Sequence, residues 1–226
     1  MMETTTSTRK PIPGFWRILI YGALSTALLM VLYVVNLQLE THGWALDNEN
    51  IWYAVRSSGV VAYFLLTTAT AWGIALSSKA IKQWMAPALA LELHTYLAWT
   101  AIGMTVYHAY LLLFSNFFDY DPIDLLVPFI GPYEPVAVGL GIVGIYVMVL
   151  TSTSFYLIPR IGYQRFRQLH YLTYLAFGLA TLHGWLAGTD GAWLHPIYLV
   201  ASISVVGLTL WRSWPTTRRT VRRASN

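Results

Sequence analysis

Four histidines carry the chemistry that this sequence offers. His94 and His108 stand fourteen positions apart in one apolar stretch, and His170 and His183 stand thirteen apart in another. An ionisable side chain inside an apolar segment is costly, so each needs a reason. On helices rising 1.5 Å per residue, the spacings amount to roughly 21 and 19.5 Å. If the two helices are parallel, His94 meets His170 at one level and His108 meets His183 at another. Neutral imidazole is the commonest protein ligand for metals and suits iron. Two imidazoles facing each other across a bundle take both faces of a haem, an arrangement suited to electron transfer rather than to direct binding of substrate. The chain contains no cysteine, which excludes disulfides, thiolate metal sites, iron–sulfur clusters and covalent haem attachment. A haem would be held by side chains alone.

Two other readings of the histidines compete with this one. A single membrane histidine is about as often a hydrogen-bonded packing residue as a ligand. Four of them, paired in depth, fit that reading poorly. A di-metal centre fits less well, because metals sharing a substrate lie about 4 Å apart. One angle resists the haem reading. At about 100° per residue, His94 and His108 lie about 40° apart around an ideal helix, whereas His170 and His183 lie about 140° apart. The second helix must wind irregularly, and Gly178 is the candidate for the distortion.

The elements that would position these residues are membrane helices. Hydrophobic residues make up 56% of the 226, and charged residues only 11%. Water-soluble chains carry about 25% charged residues, so lipid is the expected solvent. Six apolar stretches approach the ~20 residues that a bilayer crossing needs: Phe15–Leu37, Ile51–Leu76, Ala86–Phe114, Val136–Ile158, Phe166–Ala187 and Trp193–Trp214. The expected fold is an all-α, six-helix integral membrane bundle over residues 15–214. A disordered tail precedes it over 1–14, and a basic cytoplasmic tail follows over 215–226. The first stretch has a basic flank but no small-residue cleavage site after it, so it reads as a retained helix.

The net charge is +4, and its distribution says more than its sum. Arg9, Lys10 and Arg17, then Lys79 and Lys82, then Arg160, Arg165 and Arg167, then Arg212, Arg218, Arg219, Arg222 and Arg223 all fall on one side of a six-helix path. The opposite connections carry Glu40, Asp47, Glu49, Asp119, Asp121, Asp124, Glu134 and Asp190. By the positive-inside rule both termini are cytoplasmic, in a multi-pass protein of a bacterial plasma membrane. Asp121 and Pro122 are placed to start a short interfacial helix in the longest external connection. Gly139-x-Gly141-x-x-Gly144 sits inside a membrane stretch, where it serves close helix approach rather than a dinucleotide. Nothing marks a nucleic-acid partner.

These residues resemble the ferric reductase-like transmembrane domain family. It includes ferric reductases, the membrane half of NADPH oxidases and the bacterial haem subunit of the periplasmic methionine sulfoxide reductase system. The resemblance rests on the histidine spacings and on the run Arg167-Gln168-Leu169-His170-Tyr171-Leu172-Thr173-Tyr174-Leu175-Ala176-Phe177, which closes with Leu182-His183-Gly184 and Gly188-Thr189-Asp190. Arg56-Ser57-Ser58-Gly59-Val60-Val61-Ala62-Tyr63 is also similar, and in all the likeness covers about Ile51 to Trp214. It implies two haem b groups, the inner on His94 and His170 and the outer on His108 and His183, with iron as the bound metal. Oxidases and ferric reductases of the family continue into a cytoplasmic flavin and nicotinamide domain, whereas this sequence stops about a dozen residues after the last stretch. The expected role is therefore an oxidoreductase component. It would take electrons from a cytoplasmic flavin reductase, a bound flavin or a quinol, and pass them to an external acceptor: ferric iron, oxygen or a periplasmic redox protein.

Other residues allow two readings each. Arg56 either pairs with an outer haem propionate or acceptor, or snorkels and pairs with a loop acid such as Asp119. Glu92 is either a proton-path residue or an interfacial carboxylate bonded to hydroxyls. Trp99 and Trp185 read as packing. Arg160, Arg165 and Arg167 either receive inner propionates or dock an acidic partner, or simply mark topology. The rival function from another class is a transporter or channel whose histidines relay protons, although neither a broken-helix pair nor an inverted repeat is visible.

Overall fold

The computed structural model describes residues 48–78, 84–115 and 117–214. The expected first helix, both tails, His42, Lys79 and Lys82 lie outside them. Among the described residues the regular structure is entirely helical. The elements are α1 (Asn48–Ser78), α2 (Pro87–Leu111), α3 (Pro135–Ser154), α4 (Ile158–Ile161), α5 (Tyr163–His170), α6 (Thr173–Ala187) and α7 (Gly191–Ser213). Single 3₁₀ turns, Leu112–Phe114 and Phe155–Leu157, extend α2 and α3. Pro87 and Pro135 stand at helix starts, where the missing N–H costs nothing.

Among the described residues, four segments are long and apolar enough to cross a membrane: Glu49–Ser77, Pro87–Phe114, Pro135–Ile161 and Gly191–Ser213. Polar side chains within them are satisfied locally. The hydroxyls of Thr67, Thr70, Thr105 and Thr209 each donate to the carbonyl one turn back, as segments without access to water require. Val200, Ile203, Val206 and Leu210 of α7 point outward. Such a face is compatible with lipid contact.

The expected single helix over Phe166–Ala187 is instead two. α5 ends at His170, and a turn at Tyr171 and Leu172 leads into α6. The backbone tightens there, with Leu172 N donating to Leu169 O and Tyr174 N to Tyr171 O, both three residues back. The external connection also differs from expectation. Residues 122–126 form consecutive turns rather than a helix, and the Asp124 carboxylate, not that of Asp121, accepts the Asp121 N–H at 2.9 Å.

α1 packs along α2, α3 packs along α6, and α7 closes against α1. The central core gathers Tyr63, Leu66, Ala101, Ile102, Met148 and Phe177, among others. A second apolar cluster gathers Ile51, Val55, Leu111 and Leu112 with Tyr120 of the connection between α2 and α3. The pair α1 and α2 carries His94 and His108, and the pair α3 and α6, with α5 leading into α6, positions His170 and His183.

Candidate site: two facing histidine pairs

The structure brings the histidines together in the expected pairs. The rings of His94 and His170 have centroids 6.0 Å apart, and those of His108 and His183 6.1 Å apart. Within each pair the ring planes cross steeply, at 78° and 75°. Imidazole nitrogens bind a first-row metal at about 2 Å, so two rings on opposite sides of one ion hold their centroids roughly 6–6.5 Å apart. Both pairs meet that separation.

Hydrogen bonds to helix backbone aim three of the four rings. His94 Nδ1 lies 3.1 Å from Ala69 O, His108 Nδ1 lies 2.7 Å from Val55 O, and His183 Nδ1 lies 2.8 Å from Ala137 O. A carbonyl can only accept, so Nδ1 carries the proton and Nε2 keeps its lone pair for a metal. Val55 and Ala69 are fourteen residues apart on α1, the same interval as His108 and His94 on α2. Two helices in register therefore repeat one contact after about four turns.

A glycine stands one turn beyond each acceptor carbonyl. A Cβ on Gly59 or on Gly73 would come within 2.9 Å of the His108 or His94 ring, and one on Gly141 within 2.9 Å of His183. Real Cβ contacts are not that short, so these cradles admit only glycine beside the imidazole. His170 departs from the pattern. The equivalent positions on α3 are Thr151 and, just past its end, Phe155. The Thr151 backbone lies against His170 Nδ1, as Val55, Ala69 and Ala137 lie against the other rings, though without the alignment of those three bonds. The His170 ring stacks on Phe166, with centroids 5.3 Å apart.

The angular conflict between His170 and His183 is relieved at the α5–α6 turn, not at Gly178, which has open space beside it. A 3₁₀ turn advances about 120° per residue rather than 100°, so three tightened residues recover roughly 60°. That brings the offset to within about 40° of the one between His94 and His108.

Each pair lines a cavity. The one at His108 and His183, outer in the expected orientation, is about 570 Å³, is also walled by Arg56, Tyr120 and Asp190 and is otherwise mostly apolar. The inner one, about 650 Å³, includes His94, His170, Trp99, Arg167, Tyr171 and Arg212. Both volumes fall within the range usual for small-molecule and cofactor sites. Leu66 and Met148 line both cavities and form the partition between them.

Arg56 lies in the outer wall and forms an ion pair with Asp190, not with Asp119. Arg167 reaches the inner wall and donates to the Tyr171 hydroxyl at 3.1 Å, whereas Arg160 and Arg165 line neither cavity. Glu92 also lies outside both walls. Trp99 donates to the Tyr156 hydroxyl. Trp185 stacks flat on His195, with centroids 3.9 Å apart and planes 5° apart. The acceptor carbonyls had no signal in the sequence, since every residue has one. The glycines had one: Gly59 and Gly73 share the interval of His94 and His108.

Comparison with protein-family models, with curated proteins and with solved structures found no match. The functional reading therefore rests on the two pairs themselves. Among the described residues, no three His, Cys, Asp or Glu side chains gather as a metal site. Each pair therefore offers two facing imidazoles and, among the described residues, no third side chain of those types. A group that brings its own planar set of four donors, as a haem does, fits that donor set better than a bare ion.

Proposed function

We propose that this chain is a two-haem, b-type transmembrane electron-transfer subunit of the ferric reductase-like kind. His94 and His170 would hold the inner haem, and His108 and His183 the outer. The observation that carries this reading is the repeated facing pair, twice at metal-spanning separation and three times aimed by a backbone carbonyl. A haem held there would supply reversible one-electron exchange.

The chain's own residues do the rest. The carbonyls of Val55, Ala69 and Ala137 fix ring direction and tautomer and raise imidazole basicity. Tyr120, Pro122 and Leu125, from the connection between α2 and α3, line the outer cavity. Leu66 and Met148 keep the two sites apart but adjacent. Arg167 and Arg212 line the inner cavity and would pair with the anionic groups of a haem held there, and Arg56 with Asp190 would set the field at the outer site.

In this reading the protein has six spans with both termini in the cytoplasm of a bacterial cell. The charge asymmetry of the sequence supports that orientation. Electrons then move outward, from a flavin reductase, a bound flavin or a quinol to ferric iron, oxygen or a periplasmic redox protein. That direction is favoured by about 2.3 kcal/mol per 100 mV of membrane potential. The test uses sealed vesicles with an internal reductant and an impermeant external acceptor. His108→Ala and His183→Ala are each expected to abolish external reduction while about half of the haem band still responds. Parental rates in both variants would overturn the relay.

A further inference from the structure

The three glycines of Gly139-x-Gly141-x-x-Gly144 meet three different neighbours. Gly141 takes the His183 ring and Gly144 faces α6, whereas Gly139 faces Phe129 of the connection between α2 and α3. A Cβ on Gly139 would come within 2.7 Å of the Phe129 backbone nitrogen and would overlap its ring. Phe129 takes a φ of 71°, a conformation rare for a bulky side chain and kept only where packing enforces it. Further along α3, the Tyr146 hydroxyl donates to Leu126 O. The connection is therefore pinned to α3 at two levels. Gly139 lies about 6 Å and Tyr146 about 16 Å inside the start of that helix, and the tyrosine side chain leans back toward the start.

α3 opens the Pro135–Ile161 segment, which is long and apolar enough to cross a membrane. A stretch pinned beside it at those depths dips below the helix end rather than standing above it. The sequence of the stretch fits that place. Residues 125–133 carry no charge, while Asp119, Asp121 and Asp124 precede them and Glu134 follows. Ile123, Leu126, Val127, Phe129 and Ile130 are each between 38% and 59% exposed. Large apolar side chains exposed in one short stretch mark a surface for a membrane or a partner, and polar ends around an apolar middle favour the membrane. The backbone also suits a dry setting. Pro122, Pro128 and Pro132 have no N–H, and the N–H groups of Asp121, Asp124, Leu126 and Val127 are bonded within the stretch.

We propose, resting on the reading of Pro135–Ile161 as a membrane span, that residues 123–130 form a re-entrant segment. Its apolar side chains insert among lipid acyl chains at their boundary with the headgroups. Apolar faces at that boundary usually reach about 5–10 Å into it. Leu126 is exposed and also lines the cavity at His108 and His183, so one layer of chain separates that cavity from lipid.

The test uses the unsubstituted full chain in phosphatidylcholine bilayers containing a lipid with a photoactivatable diazirine on its acyl chain. After illumination, adducts are mapped on peptides by mass spectrometry. They are expected within residues 123–130 and on the outward residues of α7, among them Val200, Ile203, Val206 and Leu210. Adducts on α7 with none within 123–130 would overturn the inference and leave the span reading standing. Water, a second copy or another segment of this chain would then cover those side chains. Adducts on none of the four candidate spans would overturn both.

Discussion

At the scale of single residues, the glycine one turn beyond each acceptor carbonyl separates a ligand cradle from ordinary helix packing. The three atoms nearest to a Cβ placed on Gly59 all belong to His108, and those nearest to one on Gly73 all belong to His94. Added methyl groups at such contacts cost about 1–3 kcal/mol when the neighbour cannot move. These rings are held by hydrogen bonds and cannot. Gly59→Ala is therefore expected to lose the outer haem and Gly73→Ala the inner one, with one haem per chain remaining in each. Gly178→Ala, which meets open space, is the matched control and should keep both. Haem-to-protein ratios on the three purified variants check this. Equal ratios in all three would mean that the glycines do not shape a site. Arg56 belongs at the same scale. It is paired with Asp190, and both are about one-third exposed or less. Removing it leaves the ligands intact but exposes the outer site to an unmatched carboxylate. Arg56→Ala should keep its haem and lower the outer potential by up to about 40 mV, which corresponds to ~1 kcal/mol for one electron. Arg56→Ala/Asp190→Ala should return it toward the parental value. Redox titration reads both, and an unmoved potential would make Arg56 a structural residue only.

At the scale of elements, the informative feature is a helix that breaks. The spacing of His170 and His183 calls for irregular winding, and the irregularity is there. Its place was not legible, because Tyr171 and Leu172 are not helix breakers. The glycine that looked suited to a distortion lies in regular α6. With α5 ended at His170, both His170 and His183 meet histidines of α2, a tertiary arrangement that local propensity does not announce. The external connection behaves in the same way. Asp121 and Pro122 have the chemistry of a helix start, but the segment settles into turns, with Tyr120 and Tyr146 bonded to backbone carbonyls of the same connection. His195 also finds its role at this scale. It stacks on Trp185, bonds Trp185 O at 3.2 Å and so ties α7 to the end of α6. His195→Ala should lower thermal stability by about 1–3 kcal/mol, from one ring contact and one hydrogen bond, and leave the haem spectrum unchanged. A lost haem band in that variant would assign His195 to a site instead.

At the scale of the whole molecule, the all-helical architecture and the pairing of the four histidines could be read in one dimension. Hydropathy and spacing survive without knowledge of contacts. An arrangement with a 14-residue interval on two packed helices needs no more than matching rises per residue. The acceptor carbonyls, the cradle glycines, the shared partition of Leu66 and Met148, and the partner of Arg56 could not be read that way. They depend on which helix lies against which, and a backbone carbonyl carries no mark in the sequence. Arg56 shows the limit well. Its charge demanded a partner, but Asp119 and Asp190 were equally acidic until the fold placed Asp190 at the outer cavity. The central claim is that the two facing pairs are two haem sites, and one measurement addresses it most directly. Haem and iron are quantified per chain on the purified full-length protein, together with its reduced spectrum. The account gives two haems per chain with bis-histidine absorbance, falling to one when either pair is replaced by alanine. A ratio near zero, or a ratio unchanged by those replacements, would contradict it.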